Sequence, residues 1–198
     1  MLRLDQFRFD EYGPIELSAP PGACIGITGP SGCGKTRLLR AVADLDAWTG
    51  RLSLNGDHAL DMPGPEWRRR VAFLPAESQW WFDTVGPHFP TPPGDEALRR
   101  LGFGPEVLDW DVGRLSSGEK QRLSIVRTLQ RGPRALLLDE PTAHLDRDNV
   151  SAAEEALAAY RRDEQVPALW VSHDREQLAR VTSTIFVFDG MVLRETAS

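Results

Sequence analysis

The chain has 198 residues, of which 41% are hydrophobic and 26% charged, and its formal net charge is −6. That is the composition of one ordinary globular domain, and its acidity argues against an electrostatic grip on DNA or RNA. No apolar run reaches the roughly 18–20 residues that cross a bilayer. The two cysteines, Cys24 and Cys33, make no disulfide framework, so a reducing cytoplasm is the expected setting.

The opening MLRLDQFRF alternates apolar and polar residues, which predicts a strand over 2–9 and leaves no signal-peptide core. CIGIT predicts a strand over 23–28 buried on both faces, and a helix over 35–44 follows. Short strands are expected over 51–54 and 71–74. The run Arg68-Arg69-Arg70 just before the second reads as a solvated face. Pro and Gly then accumulate between Ala76 and Arg114 (FPTPPGDE, GFGP), a small helical insertion joined by turns with one or two short helices, one of them over 94–101. A helix over 117–131 leads into ALLLD, a strand over 135–139. Helices over 148–162 and 175–181 flank ALWVS, a strand over 168–172. TIFVF (184–188) and a last strand over 192–194 are joined by an Asp189-Gly190 turn. Buried strands separated by helices predict an α/β fold with a mainly parallel sheet covered on both faces.

Two stretches carry phosphate chemistry. After CIGIT comes Gly29-Pro30-Ser31-Gly32-Cys33-Gly34-Lys35-Thr36, which satisfies G-x-x-x-x-G-K-[ST]. The glycines let backbone N–H groups converge on phosphate oxygens, and the helix that carries Arg37 turns its positive end to the same oxygens. Lys35 is expected to reach the outer phosphates, and the Thr36 hydroxyl to take one position on Mg²⁺. Cys33 is a thiol in the middle of this loop. We expect its alkylation to slow turnover of a bound nucleotide and that nucleotide to protect it. The second stretch is Asp139-Glu140, two acids at the tip of a buried strand, where open α/β sheets bind ligands. Asp139 suits the metal shell, and Glu140 suits polarising a water in line with the outer phosphate.

Leu115-Ser116-Ser117-Gly118-Glu119-Lys120-Gln121-Arg122 stands between these stretches. Together the three resemble the motifs of the ABC ATPases, whose signature is usually Leu-Ser-Gly-Gly-Gln. Ser117 replaces the first glycine and Glu119 the glutamine. Pro141-Thr-Ala-His-Leu-Asp146 resembles the family's D-loop, and Trp170-Val-Ser-His173-Asp174 its switch-histidine loop. The resemblance covers nearly the whole chain and looks most like compact bacterial ATP-binding subunits. It implies a P-loop NTPase domain over 1–198 with an N-terminal antiparallel β part and a shortened helical subdomain over about 76–131. It implies an Mg²⁺-dependent ATPase that powers a transporter. ATP would be bound by residues 29–37 and, in a head-to-tail homodimer, by the partner copy's residues 116–119. His173 would hold the attacking water, and an aromatic ring, Phe9 first and Tyr12 second, would stack on adenine. A separate membrane permease would recruit the chain to the inner face of the cell membrane. A soluble ABC ATPase acting on a protein or nucleic-acid machine, or a weakly hydrolysing sensor, is the alternative.

The family places an Mg²⁺-binding glutamine after the proline that ends the strand over 71–74. Here Pro75 is followed by Ala76, whose methyl group cannot bind a cation. Gln79, three positions on, is the candidate replacement ligand beside Thr36 and Asp139, with water as the alternative. Trp80-Trp81-Phe82 follow directly. They either fill the core of the reduced subdomain or meet the permease through 76–82. We expect at least one ring buried and at least one available.

Overall fold

The computed structural model describes residues 1–196. Its first layer is an antiparallel sheet. Strand β1 (Leu2–Phe9) lies between β2 (Tyr12–Ala19) and β4 (Thr49–Leu54), and the short β5 (Asp57–His58) extends the edge. Leu2, Leu4, Phe7 and Phe9 point inward from β1, and Tyr12, Ile15, Leu17 and Ala19 from β2. The inward rhythm of β1 skips between Leu4 and Phe7, where the pairing register shifts and Gln6 takes a φ of 49°. β2 was not legible in the sequence because Gly13 and Pro14 interrupt its alternation.

The second layer is a six-stranded sheet in the order β10-β9-β3-β8-β7-β6. Its members are β3 (Cys24–Thr28), β6 (Val71–Leu74), β7 (Ala135–Asp139), β8 (Ala168–Val171), β9 (Thr184–Asp189) and β10 (Val192–Glu195). All pair in parallel except β10, which returns antiparallel on β9. Every residue of β3, β7 and β8 is buried, as expected of strands covered on both faces. Gly190, in the last hairpin, has a φ of 62°.

Each face of this sheet has its own core. On one face, Ile25, Ile27, Leu137 and Val171 meet the antiparallel sheet together with Leu38 and Leu39 of α1 (Lys35–Val42) and Trp67 of α2 (Gly64–Arg70). The sequence reading located no helix over α2, which opens on Gly64-Pro65, yet Pro is at home in a first helical turn. Trp67 is fully buried, and its Nε1 donates to the Val42 carbonyl at 2.9 Å. Arg68 and Arg70 pair with Asp44, Asp57 and Glu66 while Arg69 is exposed, so the arginine run is a surface face as expected.

On the other face, Leu136, Leu138 and Trp170 pack with Leu123, Ile125 and Val126 of α4 (Ser117–Gln130), Leu157 of α5 (Arg147–Asp163) and Leu178 of α6 (Arg175–Val181). Residues 76–116 join this second core. Their only α-helix is α3 (Asp95–Arg99), shorter than expected. The rest is irregular chain with three short 3₁₀ turns, closed by Val85 N–H donating to Trp110 O at 3.0 Å and Val112 N–H to Asp83 O at 2.8 Å. No helix among the described residues is long and apolar enough to cross a membrane.

Candidate functional site

β3 ends at Thr28, and the chain folds through residues 29–34 into α1. Gly34 has a φ of 97°, and a side chain there would meet the Tyr12 ring at 2.9 Å, so only glycine fits. No side chain caps α1, and no acid lies in its first turn, which leaves its N-terminal N–H groups and positive dipole end for an anion. Lys35 Nζ donates to the carbonyls of Gly29 (2.9 Å) and Pro30 (3.0 Å) and lies 3.9 Å from Cys33 Sγ. Arg37 pairs with Asp10 and lies 5.9 Å from the centre of the Tyr12 ring.

Thr36 Oγ1 donates to Asp139 Oδ2 at 2.7 Å. This bond joins the start of α1 to the tip of β7. Asp139 is buried, and burial raises its carboxyl above the ordinary range, opposed by the Thr36 bond. Two oxygen ligands from the protein, with the remaining positions left to phosphates and water, match the way Mg²⁺ is held in nucleotide sites.

Glu140 follows with a φ of 46°, uncommon for a residue with a side chain. Its Oε1 accepts from the His173 N–H at 3.0 Å and lies 3.0 Å from His173 Nδ1. An ionised carboxylate only accepts, so Nδ1 carries the proton of that bond and a neutral His173 keeps a lone pair on Nε2. The His173 ring is 80% exposed. Behind it, Asp174 caps α6 by accepting from the N–H groups of Glu176 and Gln177.

Ser116 and Glu119 form a reciprocal capping box at the start of α4. Ser116 Oγ accepts from Glu119 N–H at 3.2 Å, while Glu119 Oε2 accepts from Ser116 N–H and Oγ, each at 2.8 Å. These bonds hold the Glu119 carboxyl below its ordinary range. Ser117 is exposed in the first turn. A side chain on Gly118 would meet the His144 carbonyl at 3.0 Å, so Gly118 lets α4 sit close to the loop that follows Glu140.

One expected position is corrected. Phe9 is 2% exposed and stacked on Tyr12 at 4.9 Å, so it is a core residue and no platform for a base. Tyr12 is the ring that touches the phosphate loop. The sequence pattern shows which face of β1 Phe9 occupies but not that β2 covers it. Gln79 is exposed, its carbonyl accepts from both Nη atoms of Arg127 at 3.2 Å, and its side chain makes no hydrogen bond to Thr36 or Asp139 among the described residues.

Of the aromatic block, Trp80 packs on the second core, Trp81 is 64% exposed and Phe82 47%. Two residues that sequence reasoning passed over hold the block. Arg127 lies over Trp80 at 4.6 Å and Trp81 at 5.2 Å. The buried His88 accepts the N–H groups of Trp81 (2.9 Å) and Phe82 (3.0 Å) through Nε2, and its Nδ1 faces the carbonyls of Thr84 and Val85. Nothing in the local pattern of GPHFP signals that role.

The family model described as ABC transporter matches residues 12–143. The chain is 34% identical to "Probable iron export ATP-binding protein FetA" of Escherichia coli (strain K12), over 86% of this chain and 81% of that protein. It is also 34% identical to "Spermidine/putrescine import ATP-binding protein PotA" of Acidothermus cellulolyticus (strain ATCC 43068 / DSM 8971 / 11B), covering 88% of this chain but about half, 49%, of the relative. A solved "ATP binding subunit of ABC transporter" superposes with a TM-score of 0.83 at 20% identity, over 99% of this chain and 89% of that one. The motif order, the α/β fold with its antiparallel layer and these likenesses agree: the chain belongs to the ABC transporter family and is one of its ATPases.

Proposed function

We propose that the chain hydrolyses ATP with Glu140 as the general base, as the cytoplasmic engine of a membrane transporter. The observation that carries this reading is the convergence of two pairs at the tips of β7 and β8: Thr36 with Asp139, and Glu140 with His173. ATP is the substrate and Mg²⁺ the cofactor. When bound, Mg²⁺ neutralises charge on the phosphate oxygens, and Thr36 and Asp139 would hold it. Residues 29–37 receive the phosphates on N–H groups and the Lys35 ammonium. Glu140 draws the proton from the attacking water, and His173 orients that water and stays hydrogen-bonded to Glu140.

The partner copy's Ser116–Glu119 completes the site in a head-to-tail dimer, with 76–131 acting as the shortened helical subdomain. The exposed rings of Trp81 and Phe82 are the contact for a separate permease, which would place the chain on the inner face of the membrane. Their position on a loop clamped by Arg127 and His88 supports this, because the clamp holds two large rings out towards solvent. Phosphate release from Mg²⁺-ATP tests the core of the reading. Glu140→Gln should lower turnover by about 10²–10⁴ while nucleotide still binds; wild-type turnover in that variant removes Glu140 as the base.

A further inference from the structure

Glu140 sits in the left-handed region, which costs a residue with a side chain free energy and persists only where the surroundings over-determine it. The backbone supplies part of that restraint. Glu140 N–H donates to Val171 O at 3.0 Å, and Ala143 N–H closes the turn on Glu140 O at 3.0 Å. The next two residues are held by buried side chains from two other elements. Gln121 of α4 is 3% exposed, and its Nε2 donates to the Pro141 carbonyl at 3.2 Å. Gln177 of α6 is 5% exposed, and its Nε2 donates to Thr142 Oγ1 at 2.7 Å and to Glu154 Oε1 at 2.8 Å. Arg180 clamps the same Glu154 through both carboxylate oxygens, at 3.0 and 2.8 Å. Both amide protons of Gln177 are therefore committed, and its orientation is fixed.

We infer that Gln121 and Gln177 are positioning residues for ATP hydrolysis: they grip Pro141 and Thr142 and so hold the turn that keeps the Glu140 carboxylate beneath His173. The inference rests on the reading of Glu140 as the base. Gln177 also starts four residues after His173, on the helix that Asp174 caps. One side chain thus ties the switch-histidine helix to the chain just beyond the base. Gln121 does the same from the signature helix. With Ala76 in place of a metal-binding glutamine, this grip is a direct mechanical link from α4 to the hydrolytic carboxylate.

The test uses the full chain and steady-state phosphate release over a range of Mg²⁺-ATP concentrations. Gln177→Met and Gln121→Met keep length but remove the donor. Thr142→Val removes the acceptor, and Thr142→Ser restores it. A group displaced by about 1 Å loses up to about 10²-fold in rate. We expect kcat to fall about tenfold or more in both methionine variants and in Thr142→Val, with KM for ATP within about twofold. Thr142→Ser should recover turnover, and Gln177→Met with Thr142→Val should cost no more than either alone. A residue that only supports the fold would lower the melting temperature and leave kcat of the folded fraction unchanged. The inference is overturned if Gln121→Met and Thr142→Val keep kcat within about twofold of wild type while Glu140→Gln is silent. These two variants decide the matter even if Gln177→Met does not fold. Wild-type turnover in Glu140→Gln would instead remove the reading of Glu140 as the base, so the two failures are distinguishable.

Discussion

At the scale of single residues, the site asks for charge where burial resists it. Asp139 is the sharpest case. Its folded-state pKa is raised by burial, so the folded chain holds that proton more tightly than the unfolded chain does. Stability contributed by the protonated form is complete below the unfolded value of 3.8 and is lost as pH rises through the raised folded value. At neutral pH the ionised carboxylate therefore destabilises the nucleotide-free fold. Asp139→Asn should raise the melting temperature without nucleotide and abolish Mg²⁺-dependent hydrolysis; calorimetry and phosphate release check the two halves. Asn keeps an oxygen for the Thr36 hydroxyl. For Lys35→Ala, loss of about 1.5–3 kcal/mol, one charged hydrogen bond, predicts nucleotide affinity weakened by roughly 10–150-fold. Titration with a fluorescent ATP analogue measures it. These residues were legible because phosphate chemistry fixes their types and spacing within short contiguous runs. Phe9 was misplaced because its role depends on what the rest of the chain lays over it. Gln121 and Gln177 escaped for the same reason, since a buried amide leaves no periodic signal.

At the scale of elements, the loop from Pro75 to Phe89 is held by polar side chains rather than by regular structure. His88 accepts two N–H groups through one nitrogen, which only the neutral ring can do. Its pKa is lowered, first by burial and also by the nearby Arg127, with the bonds to Val85 and Thr84 opposing. The sign follows. The unfolded chain takes up the proton first, so the contribution of His88 is complete above 6.5 and falls as pH drops below it. Tryptophan emission from Trp80 and Trp81 should change on acidification below that value and the change should vanish in His88→Phe. That variant should also lose about 0.5–1.5 kcal/mol of stability, because two part-buried N–H groups lose their acceptor. Ser116→Ala should cost about 1 kcal/mol by opening the capping box of α4, measurable by urea denaturation. The buried strands β3, β7 and β8 were legible as short apolar runs. β2 and α2 were not, because Gly13-Pro14 and Gly64-Pro65 look like breaks until the neighbouring chain pairs with them.

At the scale of the whole molecule, the parallel sheet brings residues far apart in sequence to one edge: Asp139, Glu140 and His173 stand at or just beyond strand ends, and Thr36 lies in the first turn of the helix that follows β3. The general architecture was legible because alternating buried strands and helices leave few arrangements. The reduced segment 76–116 was visible as a run of Pro and Gly, but its mode of closure, the Asp83–Val85 backbone paired with Trp110–Val112, was not. A formal charge of −6 opposes self-association of like copies, so pairing should require nucleotide to bridge one copy's phosphate loop and the other's α4. On the proposed function, Mg²⁺-ATP binds between two copies and is consumed through Glu140. Light scattering on the Glu140→Gln chain measures that pairing. The expected result is a monomer mass without nucleotide and a doubled mass with saturating Mg²⁺-ATP; a mass that stays monomeric at saturating Mg²⁺-ATP would rule out nucleotide-bridged pairing.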